Sequence, residues 1–288
     1  MSGGPGSGLA PAVAAALGSE VVRFTRVGGG SISEAGRVDL RDGRTVFAKS
    51  AAGLAPGQLG VEAEGLRWLG EVDGVPVPEV VVAREEMLVL AWIPPGPQGA
   101  ATDERLGRAL ARLHASTVPA FGWHRDGFIG REPQRNTPVA DDWPTFWLER
   151  RVVPLVDRAL RRGAIDPRAP RLVDRLRERL AERAGPAEPP VRVHGDLWTG
   201  NVHVDDRGRP WLVDPAPYGG HREADLAMLH LFGSPGPSCV AAYDEALPLS
   251  EGWRARSELW QLEPLLNHAV MFGGHYGATA LRVLQRWA

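Results

Sequence analysis

The sequence predicts an α+β protein with two lobes, a β-rich N-terminal lobe and a larger, mostly helical C-terminal lobe. Short runs of β-branched and aromatic residues dominate the chain before residue 94. A proline- and glycine-rich stretch, PPGPQG (94–99), then has the composition of a linker. Beyond it, apolar residues recur at helical spacing, apart from one β-rich island at 190–216. We therefore divide the chain into an N-terminal lobe (1–93), a linker (94–100) and a C-terminal lobe (101–288).

Composition restricts the class of protein. The chain has 288 residues, enough for two lobes that each bury a core. Its net charge of −2 gives no reason to expect nucleic acid or an anionic membrane as a partner. Cys239 is the only cysteine, which fits a reducing compartment, and no run reaches the ~18 apolar residues of a membrane span. We expect a soluble, cytoplasmic protein, monomeric and without a signal peptide.

The N-terminal lobe is predicted to consist of strands and one helix. The predicted strands are 21–27, 35–40, 45–50 and 87–93, and the predicted helix is VEAEGLRWLGEV (61–72). After the first strand comes GGGSIS (28–33), where the backbone N–H groups of Gly29, Gly30 and Ser31 could cover phosphates. This loop lacks the GK[ST] of a Walker A motif and precedes a strand, so it is no Rossmann fingerprint either.

The C-terminal lobe is predicted to be helical around the β island. Thr102 has the position of an N-cap for a first helix, whose last turn contains His114, taken as a buried structural residue. Further amphipathic helices are predicted at 144–163, 171–185, 259–274 and 278–287. The many arginines of 150–183 alternate with acidic residues, which predicts solvated helix faces.

The β island contains the strongest chemical motif. His194, Asp196 and Asn201 have the H-x-D-x-x-x-x-N spacing of a kinase catalytic loop, and Asp214 ends the next apolar strand. NVHV, the turn DDRGR and PWLVD together predict a hairpin in which residue 201 faces residue 214. Asn201 and Asp214 would then converge as hard oxygen ligands, a set that suits Mg²⁺ with its waters and substrate phosphates.

Asp196 lies in the loop before this hairpin and is predicted to face the same space. Its expected role is to orient an acceptor hydroxyl and to accept the proton of that hydroxyl. Because phosphoryl transfer has a loose transition state, positioning and charge neutralisation matter more than base strength. An aspartate with the ordinary pKa of about 3.9 is therefore sufficient for this role.

Lys49 is the only lysine among 33 basic residues and lies on the third predicted strand. In the kinase arrangement, a strand lysine contacts the nucleotide phosphates and a carboxylate of the next helix holds it. Glu62 and Glu64 compete for that role, since residues two apart on a helix point in different directions. We favour Glu62 and keep Glu64 as the alternative.

Several longer stretches resemble the fructosamine kinase (ketosamine-3-kinase) family, a branch of the aminoglycoside phosphotransferase and protein-kinase-like superfamily. They are HGDLWTGN (194–201), DPAPYGGHREADLAM (214–228), QLEPLLNHAVMFGGHY (261–276), GGGSISEAGRV (28–38), FIGREPQRN (128–136) and DDWPTFWLERRVVP (141–154). Trp198 is typical of this family, where aminoglycoside phosphotransferases have a histidine. The resemblance covers nearly the whole chain and implies a protein-kinase-like fold of two lobes.

The resemblance also implies ATP as phosphoryl donor and Mg²⁺ as cofactor. The implied site residues are Asp196 as catalytic base, Asn201 and Asp214 on the metal, Lys49 paired with Glu62, and a linker strand whose backbone holds adenine near Ala91, Trp92 and Ile93. The implied acceptors are small-molecule or protein-bound ketosamines, phosphorylated on the sugar O3. The 3-phosphate then eliminates and frees the amine, which amounts to deglycation.

Further residues complete the predicted site. The acceptor side is predicted to include Trp198, Tyr218, Gln134 and His268, and the catalytic loop to be supported by His194 and Asp225. The chain departs from the family pattern at Gly127, where asparagine is common, and at Gly219, where many members have a second tyrosine. These departures leave the physiological acceptor open. The alternatives are a kinase for another alcohol, aminoglycoside- or choline-like, and a nucleotide-binding pseudokinase without turnover.

Overall fold

The N-terminal lobe is an antiparallel sheet flanked by two helices. A computed structural model describes residues 8–27, 34–233 and 235–288, and within them this sheet has five strands in the order β1-β2-β3-β5-β4. Its elements are α1 (Leu9–Leu17), β1 (Val21–Arg26), β2 (Ala35–Leu40), β3 (Thr45–Ser50), α2 (Gln58–Gly70), β4 (Val80–Ala83) and β5 (Met87–Ala91). The predicted strands and helix are present with nearly the predicted limits, whereas α1 and β4 were not predicted.

The two faces of this sheet pack against different helices, which fixes the direction of Lys49. Side chains alternate between the faces of a strand, so Val46 and Ala48 of β3 pack in the cluster that contains α1. Phe47 and Lys49 therefore turn to the opposite face, where Phe47 packs in the cluster that contains α2. Lys49 is thereby directed at the helix that carries both competing glutamates.

The C-terminal lobe is mostly helical. Its elements are α3 (Ala100–Ala115), β6 (Gly127–Ile129), β7 (Glu132–Gln134), α4 (Trp143–Trp147), α5 (Val153–Arg161), α6 (Ala169–Arg183), β8 (Val191–Val193), β9 (Val202–Val204), β10 (Pro210–Leu212), β11 (Tyr218–Gly220), α7 (Arg222–Leu231), α8 (Pro237–Ala246), α9 (Trp253–Trp260), α10 (Leu262–Phe272) and α11 (Tyr276–Trp287). The predicted helix at 259–274 is divided at Gln261 into α9 and α10. In the described ranges no helix is long and apolar enough to cross a membrane.

The single helix predicted at 144–163 is wrong in a way that affects the site. A π-helical turn (Leu148–Val152) separates α4 from α5, and in it the Val153 N–H donates to the Leu148 carbonyl. Pro154 has no N–H for an ordinary helical bond, which favours a wider turn just before it. The turn directs Arg151 inward, where it is 2% exposed. The prediction of solvated arginines therefore fails at this residue.

The register predicted for the β9–β10 hairpin is wrong by one residue. Val204 pairs with Pro210, and the Val213 N–H donates to the Asn201 carbonyl at 3.0 Å, so residue 201 faces 213 rather than 214. The turn causes the shift. Asp205 Oδ1 accepts the N–H groups of residues 207 and 209, and residue 208 is a glycine with φ of +70°, which closes a three-residue loop.

Candidate active site

Lys49 connects the two lobes through a pair of carboxylates. Its Nζ lies 2.7 Å from Glu62 Oε2 on α2 and 2.9 Å from Asp214 Oδ1, just after β10. Glu64 is directed elsewhere and contacts His124 and Arg125 at 2.8 and 3.1 Å. Of the two glutamates considered, Glu62 is the one in contact with Lys49.

The charges of this cluster are not balanced. Burial works against the ammonium of Lys49, but the attraction of Glu62 and Asp214 outweighs burial and raises the pKa of Lys49. Burial raises the pKa of Glu62 despite the neighbouring ammonium, whereas the attraction of Lys49 overcomes burial and lowers the pKa of Asp214. Glu62 Oε1 is buried without a hydrogen-bond partner in the described residues. Two carboxylates thus share one cation, which leaves a surplus of negative charge in the cleft.

The catalytic loop is held from below by Asp225. Its carboxylate accepts the backbone N–H groups of His194 and Gly195 at 2.6 and 2.9 Å. Gly195 has φ of +79°, and a Cβ there would collide with the Ala216 carbonyl, so this position requires glycine. His194 Nε2 lies 3.0 Å from the Val213 carbonyl, which ties the loop to the hairpin.

Asn201 contacts Asp196 directly. Its Nδ2 donates to the backbone carbonyl of Asp196 at 2.8 Å and to Asp196 Oδ2 at 3.1 Å. Burial raises the pKa of Asp196 to about 7, with Asp214, Asp225 and Glu263 adding to the effect and the Asn201 hydrogen bond opposing it. The pKa of Asp196 thus departs from the ordinary value that would have been sufficient, mainly because the residue is buried.

Asn201 and Asp214 have the chemistry of a partial Mg²⁺ site. Both N–H donors of the Asn201 amide serve Asp196, so its Oδ1 is the atom that a cation would meet. Asp214 has φ of +50°, a strained conformation for a non-glycine residue, and its side chain is 56% exposed. The described residues contain no group of three or more His, Cys, Asp or Glu side chains suited to a metal. Two hard oxygen donors fit Mg²⁺ that keeps waters and substrate phosphates.

The nucleotide side of the site is described in part. Gly29, Gly30 and Ser31 lie outside the described residues. At the linker strand, the Ala91 N–H donates to the Glu79 carbonyl at 2.9 Å, and the Ile93 carbonyl lies 3.0 Å from His203 Nε2. These two backbone groups already have protein partners.

Trp198 and His268, both predicted to contact the acceptor, lie in or near the catalytic loop. Trp198 is 38% exposed, and its ring covers Gly200, which has no side chain to obstruct it. His268 Nδ1 lies 2.8 Å from the Pro264 carbonyl, so Nδ1 carries the proton and Nε2 is left as an acceptor. Phe232 packs against His268 with ring centroids 4.2 Å apart, and its carbonyl accepts from the Thr199 hydroxyl.

Tyr218 and Gln134 are less accessible than the prediction of acceptor contacts suggests. Tyr218 is fully buried, with the Arg151 guanidinium 4.1 Å from the centre of its ring. Gln134 is also buried, and neither atom of its amide has a hydrogen-bond partner among the described residues. Gln134 thus has polar atoms that a ligand or water must satisfy, whereas Tyr218 supports the loop from inside.

Two residues near the loop, His114 and Glu263, were not predicted to be part of the site. His114 bridges Tyr243 and Asp225, with ring nitrogens 2.9 and 3.2 Å from their oxygens, and so fixes the carboxylate that holds the loop. Glu263 is buried below the loop on α10. His114 lies outside the quoted motifs, and Glu263 lies in QLEPLLNHAVMFGGHY, but the sequence does not show that either residue packs near the loop.

Comparison with known proteins identifies the family. The family model described as Fructosamine kinase matches residues 10–288. A probable ketoamine kinase from Enterococcus faecium is 34% identical over 263 residues, which cover 90% of this chain and 93% of that protein. A crystal structure from Thermobifida fusca, assigned as a fructosamine-3-kinase, has a TM-score of 0.88 and 42% identity, covering 96% of this chain and 98% of that one.

A more distant structure shares the fold alone. A macrolide 2′-phosphotransferase from Brachybacterium faecium has a TM-score of 0.63 at 18% identity, with 95% of each chain covered. The likeness extends over both lobes of this chain, the antiparallel N-terminal sheet and the mostly helical C-terminal lobe. The chain therefore belongs to the fructosamine kinase family and is a phosphotransferase with a protein-kinase-like fold of two lobes.

Proposed function

We propose that this chain is an ATP- and Mg²⁺-dependent kinase that phosphorylates the sugar O3 of ketosamines, the step that leads to deglycation. The main support is that the predicted catalytic residues lie close together in a chain of this family. Lys49 contacts Asp214, and Asn201 contacts Asp196. The two pairs are connected by the hydrogen bond from the N–H of Val213, the neighbour of Asp214, to the Asn201 carbonyl. In this proposal residues 1–93 bind the nucleotide, 94–100 link the lobes and 101–288 carry the acceptor site.

The nucleotide is held by the N-terminal lobe and the linker strand. Lys49 supplies a compact ammonium to the phosphates, and Glu62 keeps that ammonium in place. The glycine-rich loop at Gly29, Gly30 and Ser31 covers the phosphates. Because the Ala91 N–H and Ile93 carbonyl are engaged, adenine depends on the backbone of Trp92 and the N–H of Ile93.

The metal ligands proposed are Asn201 Oδ1 and the carboxylate of Asp214. Mg²⁺ bound there supplies charge neutralisation for the phosphate oxygens. Asp214 accepts from Lys49 through Oδ1, which leaves its other oxygen for the cation. The surplus negative charge of the cleft is then compensated by the cofactor rather than by another side chain.

Asp196 orients the acceptor and takes its proton. Asn201 donates to Asp196 Oδ2, so Oδ1 remains to accept the hydrogen bond of the acceptor hydroxyl. A pKa raised by burial makes Asp196 a better proton acceptor than an exposed aspartate would be. Trp198 offers a flat face to the sugar, and His268 Nε2 and the Gln134 amide offer polar partners to its other hydroxyls.

The test is turnover by the purified full chain with MgATP. The acceptor panel contains fructosyl-lysine and ribulosyl-lysine, an aminoglycoside and choline. We expect ADP release only with the ketosamines, and NMR of the product should locate the phosphate on O3. Nucleotide binding without ADP release on the ketosamines would make the chain a pseudokinase and overturn the proposal, and turnover of the other alcohols alone would replace the substrate class.

A further inference from the structure

The linker lies along β9, the first strand of the catalytic hairpin. The Gly96 N–H donates to the Val204 carbonyl at 2.8 Å, and Pro95 forms a β-bridge with Asp205. A Cβ at Gly96 would collide with the Asp205 carbonyl, so this close approach of two backbones requires glycine. The end of the linker strand, where adenine is proposed to bind, is therefore fixed against the strand that follows Asn201.

His203 is the middle residue of β9, and its side chain faces the linker strand. Side chains alternate along a strand, and Val202 packs against the apolar cluster that contains leucines of α3 and α7. His203 turns to the opposite side, where its Nε2 lies 3.0 Å from the Ile93 carbonyl. Because a carbonyl can only accept, Nε2 carries the proton of the ring. The residue is half-buried, so part of its surface is open to a ligand.

His203 also lies between the two ends of the proposed nucleotide site. Its ring contacts Ile93, which belongs to the adenine end. Asn201, the proposed metal ligand, precedes it by two residues, and two residues of chain span at most about 7 Å. A nucleotide that is bound at both ends therefore passes close to His203.

An imidazole ring offers a flat π surface to a nucleobase. Stacking on aromatic side chains, histidine among them, gives affinity for a base because every base has a π face. The hydrogen bond to Ile93 already holds the ring, so little side-chain freedom remains to be lost when a base stacks on it. The same bond occupies the Ile93 carbonyl, and stacking offsets the loss of that acceptor for the base.

We infer that His203 is a nucleobase-binding residue, whose ring stacks on adenine while its Nε2 holds the linker strand. This inference rests on the proposed function, since it assumes ATP as the nucleotide. The competing interpretation is that His203 only ties the linker to the hairpin. Stacking requires a flat ring at position 203, whereas a tie requires only a donor.

Calorimetry of the full chain with adenosine, ATP and tripolyphosphate separates the two interpretations. His203→Gln keeps an N–H donor near the position of Nε2 and removes the ring, whereas His203→Phe keeps a ring and removes the donor. We expect His203→Gln to weaken adenosine and ATP binding about tenfold, and His203→Phe to change either affinity by less than about threefold. Tripolyphosphate has no base and should bind wild type and both variants equally.

Steady-state turnover with MgATP and fructosyl-lysine gives a second measure. His203→Gln should raise the KM for ATP about tenfold and leave kcat within about twofold of wild type, because the ring contacts the base rather than the reacting phosphate. The matched control is His230, which is also half-buried and whose Nδ1 lies 2.7 Å from the Leu226 carbonyl on α7. His230→Gln should change neither the affinities nor the KM.

Three outcomes would overturn the inference. If His203→Gln bound adenosine like wild type while His203→Phe bound it weakly, His203 would be only a tie between linker and hairpin. Wild-type affinity for adenosine in both variants would mean that the base does not meet this residue. An equal loss of tripolyphosphate and adenosine binding in His203→Gln would place its effect at the phosphates or on the fold as a whole.

Failure of the proposed function gives a different result from failure of this inference. If adenosine affinity depends on the ring at 203 but no ketosamine is phosphorylated, the proposed function fails and the inference holds. If ketosamines are phosphorylated while both variants bind adenosine like wild type, the reverse is true. If His203→Gln melts well below wild type, the ratio of adenosine to tripolyphosphate affinity still decides, because partial unfolding lowers both affinities equally.

Discussion

Two clusters of charge in this chain differ in their balance. In the C-lobe pair, defined as Glu223 and Arg256, the guanidinium donates to both carboxylate oxygens at 2.6 and 3.1 Å. In the cleft cluster, defined as Lys49, Glu62 and Asp214, two carboxylates share one ammonium and Glu62 Oε1 has no partner among described residues. The first cluster has equal numbers of positive and negative groups, and the second has one more negative group than positive.

From this difference we infer which charges serve the structure and which serve a ligand. In a matched pair each charge is compensated within the folded chain, so the pair needs no ligand to offset the cost of burial. A surplus charge that is shielded from water costs free energy, and the cost is offset when a proton, a cation or another donor binds. We therefore propose that imbalance, rather than burial alone, distinguishes the cleft cluster as a functional site.

The largest effect is expected for Asp214→Ala. The substitution removes the proposed metal ligand and the surplus negative charge together, so phosphoryl transfer should fall by a factor of about 10³ or more. The dependence of nucleotide affinity on Mg²⁺ should be lost as well. Titration of ATP with and without Mg²⁺, together with ADP release under saturating acceptor, measures both effects.

Asp196→Asn is the matched comparison for that variant. It should lower the rate of phosphoryl transfer by a factor of about 10²–10⁴, because the acceptor hydroxyl loses its proton acceptor. Its ATP affinity should remain close to that of wild type, since Asp196 contacts Asn201 rather than Lys49. Equal losses of ATP affinity in both variants would contradict the separate roles assigned to the two aspartates.

Lys49→Arg should lower turnover by about 10²–10³ while the melting temperature stays near that of wild type. The positive charge is kept, which preserves the fold, but the longer planar guanidinium does not fit the space between two carboxylates 2.7 and 2.9 Å from Nζ. Steady-state rates and thermal melts of the same preparation measure the two properties. Near-normal turnover would mean that the only lysine of the chain has no special role.

Arg256→Lys is the opposite exchange in the C-lobe pair. Lysine cannot reproduce the fork that contacts both oxygens of Glu223 and the Glu251 carbonyl. We expect a lower melting temperature with unchanged turnover per folded molecule. If Lys49→Arg and Arg256→Lys gave the same pattern, the distinction between the two clusters would be lost.

The sequence predicts which residues form the candidate site better than it predicts how they are arranged. The spacing of His194, Asp196 and Asn201 indicates the catalytic loop, because such a motif is local. The hairpin register is off by one residue, since the loop length depends on the left-handed conformation of Gly208 and on Asp205 binding two backbone N–H groups. Periodicity does not reveal either feature.

Properties that depend on tertiary neighbours are also beyond local reasoning. From the sequence, both Glu62 and Glu64 could pair with Lys49. In the structure, side chains alternate between the faces of β3, so Lys49 is directed at α2, where Glu62 contacts it. The pKa of Asp196 is raised by burial and by carboxylates far away in sequence, among them Glu263. Arg151 is buried because a π-helical turn rotates it inward, against the expectation of a solvated helix face.

Glu223→Gln should destabilise the chain by about 3 kcal/mol, which corresponds to roughly 6–10 °C in melting temperature. The substitution leaves Arg256 buried without its compensating negative charge, and it weakens the hydrogen bond that Trp260 Nε1 donates to residue 223. Turnover per folded molecule should not change. Thermal melts at several scan rates, with activity normalised to folded protein, give both values, and a stable but inactive variant would contradict a purely structural role for the pair.

Glu62→Gln should have the smallest effect on stability, within about 1 kcal/mol of wild type in either direction. Loss of the ion pair with Lys49 and relief of the repulsion from Asp214 oppose each other, because the cluster changes from a surplus of negative charge to balance. Turnover should still fall about tenfold, as Lys49 is no longer held from α2. Glu64→Gln, on the same helix but in contact with His124 and Arg125, is the control and should change neither quantity. A loss of stability as large as that of Glu223→Gln would show that Glu62 is an ordinary structural partner and that the imbalance of charge carries no functional meaning.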